Sequence, residues 1–481
     1  MMYISTRNKN NRVSASEALL QGLAADGGLF VPEEIPAAGI GEQELLSLDY
    51  VTLTAKILDK LLPDLGYETV LACVRSGYEG KFDTPEPPAL VHAGEADYLE
   101  LYHGPTSAFK DMALCLLPHL IGAAKAKKGI TKETVILTAT SGDTGKAALA
   151  GFADVPGTRV VVFFPDGGVS AVQRAQMVTQ EGDNTAVCAV RGNFDDAQRG
   201  VKQAFLQIRS DAFDLSSANS INIGRLAPQV AYYFWAYAEM IRQGRLTYGE
   251  ALNYTVPTGN FGDILAGWFA KQMGLPVGRL TCASNRNRVL TDFLTTGVYN
   301  AARPFFLTAS PSMDILVSSN LERLLFYAAG CDDGLIRGLM AQLSAEKCFT
   351  ATEAMMDFIR RDFDCACADD EESLAYAGRI WAKDRYLMDP HTAVAAACAP
   401  AGRNVILSTA SPYKFAPAIL AAIGEPVPED GFEAMEQLEK VTGVPAPAPL
   451  KGLKYKPVRH RDVCGIDEIV AYAQHAASAR H

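Results

Sequence analysis

Apolar residues first recur at helical spacing and then, past about residue 90, gather in short unbroken runs, a change of period that divides the chain. Ser14 and Glu17 have capping-box spacing ahead of Ala18, Leu19, Leu20 and Leu23, and Asp26-Gly27-Gly28 ends the helix they predict. A second helix is predicted after Asp49, where Val51, Leu53, Ile57, Leu58, Leu61 and Leu62 form an apolar stripe that stops at Pro63. Thr84-Pro85-Glu86-Pro87-Pro88 disfavours regular structure and reads as a linker. A mainly helical N-terminal domain over 1–90 is expected.

Beyond the linker, β-rich runs fall at 134–138, 159–164, 186–190, 254–257, 279–283 and 404–408, with helix-like segments such as 144–152 and 198–208 between them. Continuous apolar strands separated by helices predict an α/β fold whose mostly parallel sheet is buried on both faces. Such sheets bind ligands at the carboxyl ends of their strands. The tail from Glu425 carries Pro445, Pro447 and Pro449 and is expected to wrap the surface as an extension over 425–481. No repeat at a solenoid period occurs.

Composition narrows the class. At 481 residues the chain has room for roughly three domains. A net charge of -11 without any Lys/Arg-rich block argues against a nucleic-acid partner, though a pocket can still be locally basic. The polar stretch from Met1 to Arg12 lacks a signal-peptide core, and no apolar run reaches the ~18 to 20 residues a membrane helix needs. Ten scattered cysteines suit reduced thiols in the cytoplasm, and Cys365 with Cys367 has no zinc-like second pair, so no metal is expected.

Three strand-to-loop junctions carry candidate chemistry. In His103-Gly104-Pro105-Thr106-Ser107-Ala108-Phe109-Lys110-Asp111, a Gly-Pro turn delivers one lysine to a helix start among apolar residues. A desolvated lysine there loses its proton and becomes nucleophilic; a solvated surface lysine is the alternative. In Thr138-Ala139-Thr140-Ser141-Gly142-Asp143-Thr144-Gly145-Lys146, small residues between strand and helix suit an anion or merely cap the helix. The phosphate-loop pattern G-x-x-x-x-G-K-[ST] fails, because Thr140 replaces its first Gly and Ala147 its hydroxyl residue. In Pro257-Thr258-Gly259-Asn260-Phe261-Gly262-Asp263, two glycines form either a nest of N–H donors for a phosphate or an ordinary tight turn.

Taken together, these segments resemble threonine synthase, in the subgroup with a long N-terminal region. Similar too are Tyr3-Ile4-Ser5-Thr6-Arg7, the run 22–32, Asn219-Ser220-Ile221-Asn222, Ser312-Met313-Asp314-Ile315 and the run 408–415, in order over most of the chain. The resemblance implies fold type II pyridoxal-phosphate architecture, two α/β lobes with the cofactor between them. It divides the chain into a large lobe, 91–133 with 226–424, and a small lobe, 134–225. It places pyridoxal 5'-phosphate on Lys110, the cofactor phosphate on Gly259, Asn260, Phe261, Gly262 and Asp263, and the pyridine nitrogen on Thr409. A hydroxyl there donates to a neutral ring nitrogen without forcing protonation.

The same resemblance implies conversion of O-phospho-L-homoserine and water to L-threonine and phosphate, with Lys110 as the base, in a monomer or homodimer. Ser141, Gly142 and Thr144 would hold the substrate carboxylate; Asn219, Ser220 and Arg225 would hold its phosphate ester. Arg225 has a fork suited to phosphate, or else forms an interlobe salt bridge. Asp143 stands where relatives often carry Asn near the cofactor's phenolic oxygen, and two anions so close would repel. His391 reads as a capping residue, and Tyr232, Tyr233, Phe234, Trp235 and Tyr237 as core. The rival reactions are a related phospho-lyase and a threonine/serine dehydratase; a silent pyridoxal-phosphate-fold protein is disfavoured by Lys110.

Overall fold

The computed structural model describes residues 1–84, 88–140, 142–167 and 169–479. All six β-rich runs lie in strands, and they divide between two sheets. The larger has six strands in the order Phe363–Cys367, Val277–Ser284, Leu252–Pro257, Asn404–Ser408, Ala96–Glu100, Ala89–Ala93, parallel except for the last pair. The smaller has five parallel strands in the order Asp462–Cys464, Thr185–Val190, Thr158–Pro165, Glu133–Ala139, Phe213–Ser216. Thr158–Pro165 is buried along its whole length, as an unbroken apolar run in a doubly covered sheet must be.

Between the sheets and the N-terminal region runs the helix Ile223–Arg242, buried for most of its length. Its aromatic cluster is core: Tyr232, Tyr233, Phe234, Trp235 and Tyr237 are at most 3% exposed. The Ser14–Glu17 capping box forms, but the first helix is Ala15–Gln21, ended by Gly22 at φ 68°, so Leu23 falls outside it. The polar opening of the chain is a three-stranded antiparallel sheet, Met2–Ser5 between Asn8–Ser14 and Phe30–Pro32. Buried Arg323 ties it down by donating to the Phe30 and Ile221 carbonyls. The predicted linker falls partly on 85–87, outside the described residues.

The tail from Glu425 does more than wrap the surface. Its strand Asp462–Cys464 adds to the smaller sheet, and its helix Ile469–Ser478 packs on Phe194–Gln207. The proline cluster lies in the connection from the helix Gly431–Thr442 toward that strand. No helix among the described residues is long and apolar enough to cross a membrane, and none of their His, Cys, Asp or Glu side chains group as a metal site.

Candidate active site

Three neighbouring strands of the larger sheet deliver loops to one place. The loop after Ala96–Glu100 carries Lys110, the residue after Asn404–Ser408 is Thr409, and Leu252–Pro257 runs into the Gly259 loop. Carboxyl ends of parallel strands lie on one side, so sheet topology alone assembles these groups. The Lys110 loop is fastened to the Thr409 segment: Phe109 N–H donates to the Thr409 carbonyl at 2.8 Å and Ser411 N–H to the Ser107 carbonyl at 3.1 Å. Asp111, fully buried, braces the same loop by accepting the Thr106 N–H at 2.8 Å and its hydroxyl at 2.6 Å.

The Lys110 side chain is 11% exposed, and its Nζ lies 3.5 Å from both Ser312 Oγ and Asp143 Oδ2. Burial lowers its pKa below the ordinary lysine value; Asp143 opposes that, and the Lys414 and Arg225 charges reinforce it. Asp143 is pushed up by burial, but Lys414 and Lys110 outweigh this and hold it well below the usual carboxylate range.

None of the N–H groups of residues 259–264 donates to a described residue. The loop's carbonyls are held from behind, Gly259 by the Ser318 hydroxyl at 2.7 Å and Asn260 by Asn320 N–H and Nδ2 at 3.1 and 3.0 Å. Phe261 adopts a left-handed φ of 61°, with its ring buried against Phe363. A Cβ at Gly259 would stand 2.7 Å from the Ser312 carbonyl oxygen. A run of unpartnered amides at a helix start has the chemistry to receive an anion.

From the smaller sheet, Glu133–Ala139 leads into helix Asp143–Phe152, where Thr140 Oγ1 accepts the Gly142 and Gly145 N–H groups at 3.0 and 2.9 Å. Gly142 takes φ 139°, and a Cβ there would stand 2.5 Å from Gln173 Cδ. Phe213–Ser216 leads to Asn219 and Ser220, both half-buried, Ser220 Oγ lying 3.4 Å from Ser319 Oγ. Arg225 is 3% exposed; its Nη1 donates to the Ala218 carbonyl at 2.6 Å, while Nε has no partner among the described residues. Burial lowers its pKa to about 10.

Against known proteins, residues 2–78 match the family described as threonine synthase N terminus, and 99–406 the family of pyridoxal-phosphate dependent enzymes. The chain is 36% identical to threonine synthase of Pseudomonas aeruginosa over 458 residues, 92% of this chain and 96% of that one. The chain belongs to the threonine synthase family. A crystal structure of pyridoxal-phosphate-bound threonine synthase from Brucella melitensis superposes with a TM-score of 0.88 at 36% identity, covering 100% of both chains. Threonine synthase-like 1 of Homo sapiens is 38% identical over 452 residues, 88% of this chain but 60% of that protein, so the chain spans about 60% of the length of that relative.

Within this threonine synthase fold, the structure brings together Lys110, the Gly259 loop, Thr409, Gly142 and, through its charge on Lys110, Arg225. Thr144 is half-buried beside Asp143, and Ser141 lies outside the described residues. Arg225 forms no salt bridge among the described residues, so the interlobe ion pair is not what it makes. His391 is not the cap expected, since Asp389 caps this helix: Asp389 Oδ1 holds the His391 Nδ1 at 2.7 Å, and the ring's Nε2 accepts the Ser312 N–H at 3.1 Å, which fixes the proton on Nδ1. Ser312, Lys414 and Gln173 were not singled out from the sequence, although Ser312 and Lys414 lie in segments that carry the resemblance.

Proposed function

We propose that this chain converts O-phospho-L-homoserine and water to L-threonine and phosphate, with pyridoxal 5'-phosphate held by Lys110. The observation that carries the reading is the partly dehydrated Lys110 amine, its pKa lowered, beside a row of undirected N–H groups and the open donor of buried Arg225. These residues fit the cofactor. The amides of Gly259, Asn260, Phe261, Gly262 and Asp263 would take its phosphate, and the Thr409 hydroxyl, which bonds no described residue, its pyridine nitrogen. When bound, the cofactor supplies an electron sink for carbanions beside the substrate amine.

Around it the protein binds and moves protons. Lys110 takes the proton at Cα and then one at Cβ as phosphate leaves Cγ; protons return to Cγ and, once water has added at Cβ, to Cα. Ser141, Gly142 and Thr144 hold the carboxylate; Asn219, Ser220 and the Arg225 fork hold the phosphate ester until it leaves. A cleft between two lobes keeps bulk water away before the controlled addition. The lobe boundaries are those expected above, and the working form is a cytoplasmic monomer or homodimer without a nucleic-acid partner.

The decisive experiment incubates pure protein with O-phosphohomoserine and pyridoxal phosphate and follows threonine and phosphate together. Equal amounts of both, lost in Lys110→Ala, are expected. Phosphate accompanied by 2-oxobutyrate moves the chain to a phospho-lyase and refutes the proposed synthesis.

A further inference from the structure

Asp143 sits between two lysines. Its Oδ1 accepts from Lys414 Nζ and from Gln173 Nε2, the latter at 2.9 Å; its Oδ2 accepts from Ser312 Oγ at 3.3 Å and lies 3.5 Å from Lys110 Nζ. The Lys414 side chain has no exposed surface, and its other contact is the Thr106 carbonyl at 3.2 Å. Each oxygen of Asp143 therefore has a separate duty.

The charge count decides what this arrangement does. With Lys110 protonated, the cluster holds two cations and one anion in a site of little water, and Arg225 adds a further cation. With Lys110 neutral, Lys414 and Asp143 balance each other and Arg225 is the one excess cation, against two when Lys110 is protonated. Unbalanced buried charge is costly, so the state with the smaller excess is preferred. The other groups facing the cluster add one anion, Asp111, and one cation, Lys146, which offset each other at neutral pH. Asp111 is pushed up to about 6 by burial and committed to Thr106, Lys146 is lowered to about 8 by burial, and His391 reaches the cluster only through the Ser312 backbone.

We propose that Lys414 is a positioning residue that serves as the standing counter-ion of Asp143, which leaves the Lys110 amine uncommitted and unprotonated for its work. The inference rests on the reading of Lys110 as the working amine, and it resolves the repulsion expected of an acid beside the cofactor. Without Lys414, the state that pairs Asp143 would be Lys110 ammonium clamped on it.

The test uses the cofactor-free protein and isotope-coded acetic anhydride, with labelling of Lys110 read by peptide mass spectrometry across a pH series. Lys414→Met is expected to raise the Lys110 midpoint by about 1–3 pH units, which reads as roughly tenfold to a thousandfold less label at a pH below both midpoints. Asp143→Asn is expected to lower the midpoint, and the double variant to return it towards the native value. Lys414→Arg, which keeps the charge, should rescue. A Lys414→Met protein that is folded by circular dichroism yet has an unchanged or lower midpoint overturns the inference. So does an Asp143→Asn protein with a raised one, which decides the matter if the Met variant fails to fold. With no substrate present, failure of threonine synthesis would leave this titration standing, and the reverse holds too.

Discussion

Replacing Arg225 by Met separates a binding role from a structural one, because the two roles move activity and stability in opposite directions. The guanidinium is 3% exposed, lacks an ion-pair partner among the described residues and leaves Nε undirected. A cation buried in that state costs the fold free energy, and exchanging such charges for apolar side chains is neutral or stabilising by about 1–4 kcal/mol. The Met variant should therefore melt at or above the native temperature. Its fork, free to give two charge-assisted hydrogen bonds worth about 1.5–3 kcal/mol each, would contribute about 3–6 kcal/mol toward a bound phosphate ester. At 1.36 kcal/mol per decade, kcat/KM should fall by about 10²- to 10⁴-fold. Arg225→Lys keeps charge without the planar fork and should fall between the two. Initial rates of phosphate and threonine release at low O-phosphohomoserine, with melting curves on the same samples, give both quantities. A Met variant that melts several degrees lower while keeping most of its kcat/KM would refute the role.

Gly259→Ala forces a Cβ to 2.7 Å from the Ser312 carbonyl oxygen; relieving that overlap costs about 1–3 kcal/mol, so pyridoxal-phosphate affinity should fall by about five- to 150-fold in a binding titration. Burial pushes the Asp263 carboxyl up to about 6 from 3.8, with the Tyr232 and Tyr233 hydroxyls opposing, so in the cofactor-free protein its ionised form costs stability. That cost is absent below about pH 4, grows through the window to about pH 6 and persists above it, so Asp263→Asn should gain melting temperature over the native protein only at the higher pH. His391→Phe strands the Ser312 N–H, worth about 1–3 kcal/mol when unpaired, while Asp389 Oδ1 keeps the backbone N–H of residue 391, and chemical denaturation should show a loss of about 1–3 kcal/mol.

What the sequence disclosed follows the physics of burial. Strands covered on both faces read as apolar runs, so six interior strands were legible. Interior Ala96–Glu100 was not, because Asp97 and Glu100 break its run. Ala89–Ala93, Phe213–Ser216, Phe363–Cys367 and Asp462–Cys464 sit at sheet edges, partly exposed, and lack that pattern. Lys110 was legible because a Gly-Pro turn and apolar flanks mark it locally. Lys414 was not: no Gly-Pro turn marks it locally, and its partner Asp143 lies 271 positions away. Asp143 alone suggests repulsion; only the tertiary contact supplies the cation that removes it.

That contact also explains why one acid is tolerated where an amide would be simpler. Asp143 heads a helix that follows a strand of the smaller sheet, whereas Lys110 and Lys414 follow strands of the larger one, so the ion pair joins segments that follow different sheets. An amide at 143 could still accept from Gln173, but it would leave the Lys414 ammonium buried without a counter-charge, a defect costlier than a lost neutral hydrogen bond. Acid and lysine are thus required as a pair. Asp143→Asn and Lys414→Met should each destabilise the fold more than the double variant does, and additive single losses would show that the two side chains act separately.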